Sequence, residues 1–455
     1  MQTGAVALQR QLKLFEYGTC LDQEQAAALF ERQQSLQPYL TKGFLTRCFE
    51  GAKPCLRASH YVGLFPFYAA DQAHLLLIAP KGCRQDWKRG LLRFLELFAL
   101  AEDETLPEEE DIRGWEGQLG PHQFLLFLAR HYARLLQELC RRDFRSYYRP
   151  EEDDLRSRIR GRLHLAGYAR LALRGKQHVL PCRWEEFTVD NWDNRILWAA
   201  ARRLKQVAGA FDSQAAALVW KPFERLLSWF SAVAELPIRA SDFRKSRLGR
   251  TSRYYRQALA WARLLLQGSD LPTEGGQVPP LVLSTHKAFE KFAELVAQAA
   301  LPDAGWRHAF QHGSDFLTGP GQKPQHHIPD ILLMDPKGVA AVGDAKYKEV
   351  LERAPDAELD TSKGVLQACI QAADWNQLYV YMRMKKASCG FFVVPFWKAD
   401  GEYIEWLPQF QFAESPRDAN VGTNVRVAVL ALNLLRPLKD VKQKAAERLR
   451  HWLSA

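Results

Sequence analysis

The sequence lacks the marks of several protein classes. Its eight cysteines are scattered as Cys20, Cys48, Cys55, Cys83, Cys140, Cys182, Cys369 and Cys389, and none forms a CxxC pair. A zinc ribbon or a thioredoxin-type motif is therefore unsupported. No apolar run reaches membrane-spanning length before polar residues break it. YVGLFPFYAADQAHLLLIAP, for example, is interrupted by Asp71, Gln72 and His74. The N-terminal stretch MQTGAVALQRQLKLFEYG has no apolar core long enough for a signal peptide. No Walker A motif occurs: the single Gly-Lys pair, Gly175-Lys176, is followed by Gln177 and lacks the upstream glycine. Internal repeats and low-complexity segments are absent too. These absences predict a reduced, cytoplasmic chain with no membrane span and no P-loop nucleotide hydrolysis.

What is present is an ordinary globular composition, 47% hydrophobic and 25% charged over 455 residues. That length predicts two or three domains. The net charge of +10 and pI near 9.1 favour a polyanionic partner, nucleic acid before an anionic membrane surface.

Periodicity along the chain predicts a mixed α/β protein in three parts. Residues 1–110 read as an N-terminal α+β region. In it HLLLIAPK (His74–Lys81) is a buried strand, followed by a helix with Trp87, Leu91, Phe94, Leu95 and Phe98 on one stripe. AEDETLPEEEDIRG then carries seven acidic residues between Glu102 and Asp111 and reads as a solvated loop. Residues 111–280 read as a mainly helical middle domain, with amphipathic helices at Phe124–Leu139, Asn194–Val207, Leu218–Val233 and Tyr255–Leu266. A β insertion lies between the first two, strand-like around Gly161, Gly167 and Gly175. The Gly/Pro-rich QGSDLPTEGGQVPP marks a boundary. Residues 281–455 begin with a helix near Thr285 whose buried face is Phe289, Phe292, Val296 and Ala299. There follow strands PDILLM and GVAAVGDAKYK, a helix from about Lys363 to Met384, strands CGFFVVPFW, IEWLPQF and NVRVAVLAL, and a basic C-terminal helix.

The chemistry-bearing residues are Asp330, Asp344 and Lys346. Strand alternation puts Asp344 and Lys346 on one face and Ala345 on the other. Asp335-Pro336-Lys337-Gly338 is a turn that folds Asp330 back beside Asp344. A four-residue loop would set Asp330 opposite Gly343; a five-residue loop or a bulge would set it opposite Asp344. Two carboxylates at one strand end suit Mg²⁺ or Mn²⁺, and a lysine two residues on can hold a water and stabilise phosphorane charge. An ordinary hairpin with solvated end charges would give the same triplet. Three features argue against that. Both strands are strongly apolar before their charged ends. The preceding helix carries Glu290 and Glu294, either of which could face a metal or pair with Lys287 or Lys291. The following helix carries Asp374, Gln377 and Tyr381 as one polar stripe, with Val365, Cys369, Ala372 and Tyr379 expected toward the core.

The order helix, PD, DxK, Q-x-x-x-Y resembles the PD-(D/E)xK nuclease superfamily. The resemblance implies that Asp330 and Asp344 bind the metal, that Lys346 assists the water, and that Gln377 and Tyr381 are the helix motif of the RecB-like branch. GDAKYK (Gly343–Lys348) is similar to the DAKYK segment of McrC, the nuclease subunit of McrBC-type restriction systems. GRL at Gly161–Leu163 and FTVDNWDNRIL at Phe187–Leu197 match that family's G-R-[IL] and F-x-x-D-x-x-x-N-R-x-L pattern. SRYYRQALAWARLLL (Ser252–Leu266) and LLLIAPKG (Leu75–Gly82) fit as well. The resemblance covers roughly residues 60 to 400. It implies a C-terminal PD-(D/E)xK domain with a central mixed sheet flanked by helices. It further implies Mg²⁺-dependent cleavage of double-stranded DNA in a type IV, modified-cytosine-dependent restriction complex. The partner would be a hexameric McrB-like AAA+ GTPase, on which the N-terminal part docks and whose hydrolysis it stimulates.

Other signals stay open. Arg239–Arg256 holds six arginines and one lysine against Asp242. It is either a DNA-phosphate track, with Arg244, Lys245, Arg247 and Arg250 joined by Lys348, or a helix edge paired with acids elsewhere. His308, His312, His326 and His327 crowd the approach to Asp330, but no cysteine or spaced carboxylate accompanies them as a zinc site requires. Two further functions are compatible with the sequence: a non-cleaving activator of an AAA+ motor, and a stand-alone nuclease in repair or transposition.

Overall fold

The computed structural model describes residues 11–15, 33–50, 53–69, 72–80, 89–91, 93–97, 121–156, 158–209, 213–247, 252–266, 280–302, 305–310, 314–317, 325–347, 370–398, 401–411 and 426–454. The fold is mixed α/β. Its described residues fall into two compact units, one from within 70–74 and 120–281 and the other from within 10–69, 75–119 and 282–455. The acidic run Glu102–Asp111 lies outside the described residues.

In the first unit the apolar stripes noted above produce helices Pro121–Asp143, Trp192–Gly209 and Arg253–Leu266, which pack on one another. Tyr132, Leu197, Leu204, Trp261 and Leu265 are buried there. The helix expected at Leu218–Val233 is not continuous. Ser213–Trp220 is α-helical, Lys221–Leu226 tightens to a 3₁₀ turn at Pro222, and only Leu227–Phe230 resumes. Proline lacks the N–H that a continuous helix needs. The β insertion is a three-stranded antiparallel sheet in the order Tyr147–Leu155, Leu180–Thr188, Arg162–Leu163. Gly167, read as strand-like, lies instead within helix Leu165–Leu173. Gly161 does turn the chain, with φ of +68°, and a Cβ there would collide with the Arg183 carbonyl.

The F-x-x-D-x-x-x-N-R-x-L segment pins this unit. Arg195 makes two hydrogen bonds to Asp190, at 2.6 and 2.7 Å. Asn194 Nδ2 donates to the carbonyls of Val189 (2.7 Å) and Arg145 (3.2 Å), and its Oδ1 accepts from Tyr255 OH (2.8 Å). Such a satisfied buried network fixes a unique arrangement of chain. Its role is therefore to hold the helix start against its neighbours.

The second unit contains a six-stranded sheet in the order Arg307–Phe310, Ile331–Asp335, Gly338–Ala345, Cys389–Phe396, Arg426–Asn433, Ile404–Gln411. The first three strands pair antiparallel, the third to fifth run parallel, and the last is antiparallel. The fully buried Cys389–Phe396 strand, CGFFVVPF, has the unbroken apolar character of a strand covered on both faces. Helices Thr285–Ala299, Ala372–Lys385 and Leu438–Ser454 pack on this sheet. A separate four-stranded sheet contains Gln11–Phe15, Gln72–Ala79, Tyr61–Ala69 and Leu281–Ser284.

Helix Ala372–Lys385 departs from expectation in start and facing. Gln371 is an extended N-cap with ψ of 160°, so a continuous helix from Lys363 is excluded, residues 363–369 being outside the described set. The buried face is Asp374, Leu378, Tyr381 and Met382; Ala372 is exposed and Tyr379 only half-buried. The polar stripe thus points inward.

Candidate active site

The Ile331–Asp335/Gly338–Ala345 hairpin sets the two aspartates. Asp335 Oδ1 accepts the N–H groups of Lys337 (2.7 Å) and Gly338 (2.9 Å), closing the turn. Pairing is Asp335 with Gly338 and Met334 with Val339, then Leu333 with Ala341 and Ile331 with Gly343. The register shift between Leu333 and Met334 is a bulge. It adds one residue to the second strand and so sets Asp330 level with Asp344. Of the registers left open by the sequence, this is the bulged one. Gly343 is required by close approach, since a Cβ there would enter the Phe391 ring of the parallel neighbour.

Asp344 is 3% exposed. Burial, then the charge of Asp330, pushes its carboxyl up to about 6, against the lowering pull of Lys346. Asp330 is raised as well, first by burial and then by Glu290, while the Ala345 N–H donated to its Oδ2 at 2.8 Å opposes the rise. Lys346 Nζ lies 2.8 Å from Asp344 Oδ2 and 3.7 Å from Asp374 Oδ1, and donates to Gln377 Oε1 at 2.9 Å. Burial works against the ammonium, but the surrounding aspartates outweigh it and hold its pKa above the ordinary lysine value. Gln377 Nε2 in turn donates to Tyr381 OH at 2.8 Å. Lys346, Gln377 and Tyr381 form one chain of hydrogen bonds running from the strand end down the helix.

Of the two glutamates, Glu294 is held by Lys291 at 2.7 Å. Glu290 is raised by burial and by Glu294, and it also senses Asp344 and Lys346, so it sits at the edge of the same field. Asp374 was noted only as part of a stripe. It closes a capping box, its Oδ2 accepting from Gln371 N–H at 2.9 Å, and it supplies a second carboxylate toward Lys346. The signal for it was an acidic residue three positions into a helix.

The donor set fits a hard divalent cation. Asp344 Oδ2 is buried and, despite its ion pair, makes no hydrogen bond of good geometry. Asp330 commits one oxygen to Ala345. A buried, unsatisfied oxygen of Asp344 beside the second carboxylate of Asp330, the two raising each other's proton affinity, is an arrangement that Mg²⁺ or Mn²⁺ would relieve. Among the described residues no group of three His, Cys, Asp or Glu gathers as a metal site, the histidines included. His308 lies against the Phe310 ring, the two tilted by 33°, while His312 lies outside the described residues.

In the basic stretch, Lys245 is held by Asp242 at 2.8 Å and sits over the Trp192 ring at 3.7 Å. Arg247 N–H donates to Asp193 at 3.2 Å while its side chain is exposed, as is that of Arg244. Arg250 and Lys348 lie outside the described residues.

A mixed sheet carrying an Asp–Asp–Lys cluster at one strand end, backed by a Gln–Tyr helix, defines a class of acid–lysine site within an α/β fold. The family model of the McrBC 5-methylcytosine restriction system component matches residues 56–394, and the chain belongs to that family. Among solved structures, it is similar to a chain of the refined half-complex from the tetradecameric assembly of Thermococcus gammatolerans McrB AAA+ hexamers with bound McrC. Identity is 19%, the TM-score is 0.55, and 97% of this chain and 99% of that chain are covered, which is a likeness of fold. A chain of the cryo-EM structure of the Thermococcus gammatolerans McrBC complex aligns over 65% of this chain and 89% of that one, at 19% identity and a TM-score of 0.38. No curated protein matches. No helix among the described residues is long and apolar enough to cross a membrane.

Proposed function

We propose that this chain is the Mg²⁺-dependent (or Mn²⁺-dependent) endonuclease subunit of a McrBC-like restriction complex, cutting double-stranded DNA that carries modified cytosine. It would use a PD-(D/E)xK fold and act in the cytoplasm. One observation carries the reading: Asp330 and Asp344 stand level at a strand end, with Lys346 Nζ 2.8 Å from Asp344. Asp330 and Asp344 would hold the cation, with Glu290 behind them. When bound, such a cation supplies Lewis acidity and an acidified water. Lys346 is held protonated by its aspartates, so at neutral pH it donates hydrogen bonds to water or phosphate and does not act as a base. Gln377 and Tyr381 aim that ammonium. Arg244, Lys245, Arg247, Arg250 and Lys348 would contact DNA phosphates, Lys245 the least freely given its pairing with Asp242.

The partner would be a McrB-like AAA+ GTPase hexamer whose turnover this chain stimulates. A surface suited to docking is the three-stranded sheet with helix Leu165–Leu173, which has no buried residue. Leu165 is 71% and Leu173 88% exposed there, and the cross-strand pair Tyr148–Phe187 is also exposed. Exposed apolar surface of this kind marks a partner site.

The test is cleavage of methylated and unmethylated plasmid with Mg²⁺, with and without the cognate AAA+ protein. Methylation-dependent cutting that needs both proteins is expected. No cutting in any combination, by a well-folded chain, would overturn the nuclease assignment.

A further inference from the structure

The unit that includes residues 120–281 carries a group of arginines that neither its packing nor the acid–lysine site uses. Arg141 and Arg142 close helix Pro121–Asp143, and Arg253 and Arg256 lie in the first turn of helix Arg253–Leu266. Arg244 ends the 3₁₀ turn Ala240–Lys245 with Lys245, and Arg247 follows it. All six side chains are exposed.

A short run of hydrogen bonds brings these three segments to one place. The Arg145 N–H donates to Tyr255 OH at 3.0 Å, joining the end of the first helix to the start of the second. Arg253 and Arg256 flank that tyrosine. Tyr255 OH donates in turn to Asn194 Oδ1 at 2.8 Å. The preceding residue, Asp193, accepts from the Ser246 hydroxyl and, at 3.2 Å, from the Arg247 N–H. Tyr255, Asn194 and Asp193 are fully buried, so the exposed arginines border one fixed hub.

The neighbouring carboxylates do not neutralise them. Asp143 is taken by Arg145 at 2.6 Å and Asp242 by Lys245 at 2.8 Å. Asp190 pairs with Arg195 at 2.6 Å, and Asp193 holds a hydroxyl and a backbone N–H. Glu138 is exposed one turn before Arg142 but forms no ion pair with it. Among the described residues none of the six arginines has an ion pair. Helix electrostatics account for only two of them. Arg141 and Arg142 suit the negative end of their helix dipole, whereas Arg253 and Arg256 stand at the positive end of theirs, in a first turn with no acid. Nothing in the folded chain offsets that cost, and a row of phosphates would. The guanidinium fork also matches phosphate oxygens two at a time.

We propose that this arginine face is a phosphate-binding surface for double-stranded DNA, able to hold a duplex without a divalent cation. The inference rests on the reading of this chain as acting on duplex DNA. It extends the phosphate contacts from Arg244 and Arg247 to Arg141, Arg142, Arg253 and Arg256 on two helices. Phosphate contacts carry no sequence information, so the surface is blind to base sequence and to cytosine methylation.

The test uses the full chain in chelator and a fluorescein-labelled duplex, methylated or not, with anisotropy followed over a range of salt. Wild-type affinity should fall steeply and linearly on a logarithmic salt scale, alike for both duplexes. Two double variants are compared, Arg141→Ala with Arg142→Ala and Arg253→Ala with Arg256→Ala. Each should weaken binding about tenfold and make the salt slope shallower by roughly two, since each phosphate contact contributes about 0.9. Circular dichroism should be unchanged, and thermal unfolding of the second variant equal to or above wild type. Wild-type affinity and slope in both variants, or no duplex binding by the wild type in chelator, would overturn the proposal. Variants that bind the duplex normally but no longer stimulate the AAA+ partner's GTPase would assign the face to that protein instead. Cleavage with Mg²⁺, scored in parallel on the wild type, keeps the two readings apart. Cutting without the arginine effect removes this surface alone, and the arginine effect without cutting removes only the nuclease assignment.

Discussion

Asp344→Asn removes one negative charge from a buried pair while keeping the side-chain shape. Asp344 rises from the ordinary 3.8 to about 6 in the folded chain. An acid raised on folding keeps its proton in the native state at pH values where the unfolded chain has lost it. Its contribution is therefore whole below about pH 4 and is lost as pH climbs through about 6. Two pKa units correspond to about 3 kcal/mol of penalty at neutral pH. That value already includes the pull of Lys346, which in the variant keeps Gln377 at 2.9 Å and Asp374 at 3.7 Å. The variant should thus be about 2–3 kcal/mol more stable than wild type at pH 7.5 without metal, and the gap should narrow toward pH 5. Thermal unfolding in chelator at both pH values measures it. Added Mg²⁺ should then stabilise the wild type, by selective binding to the native state, and leave the variant where it was. A variant less stable than wild type at pH 7.5, or one whose gain is the same at pH 5, would refute the reasoning.

Four other outcomes follow from the geometry. Lys346→Ala should abolish cleavage yet leave stimulation of the partner's GTPase near the wild-type rate, because the hairpin backbone is unchanged; phosphate release by the purified partner checks this. Tyr381→Phe removes the acceptor of Gln377 Nε2, and should slow single-turnover cleavage about tenfold by loosening Lys346, with a stability change of about 1 kcal/mol or less. Gly343→Ala should cost about 1–3 kcal/mol in thermal or urea unfolding, since its Cβ meets the Phe391 ring of a packed core. Asn194→Ala takes the acceptor from the buried Tyr255 O–H, while the Val189 and Arg145 carbonyls keep the Asn191 donors, and should cost about 1–3 kcal/mol; a loss well under 1 kcal/mol by the same measurement would mean the network is not what pins the helix start.

Much of the sheet was readable because its strands are either continuously apolar or end in charge. CGFFVVPF has no other comfortable place than between two layers, and it is buried along its whole length. The helices were readable where a stripe was clean, as in Arg253–Leu266. Reading failed where a local feature outvoted the stripe. Pro222 split the Leu218–Val233 pattern. The segment around Gly167 became a helix with no fully buried residue, so no burial pattern was there to read. In helix Ala372–Lys385 the expected facing was wrong for a physical reason. Apolar side chains were assumed to point inward, but Asp374 and Tyr381 are buried beside the Lys346 site with Leu378 and Met382, and Ala372 is left outside.

The site shows the sharpest limit. Residue types and strand alternation place Asp344 and Lys346 on one face from sequence alone. The partner aspartate depends on a count that the sequence does not settle, because a two-strand register shifts by whole residues. The bulge at Leu333/Met334 decides it, and it is set by how the Asp335 turn closes against the third strand. The consequence is electrostatic. With Asp330 one position away, Asp344 would have lost the neighbouring charge that, after burial, is the main cause of its raised pKa. The same inserted residue that makes the hairpin irregular therefore creates the carboxylate pair, and with it the repulsion that the proposed cation would relieve.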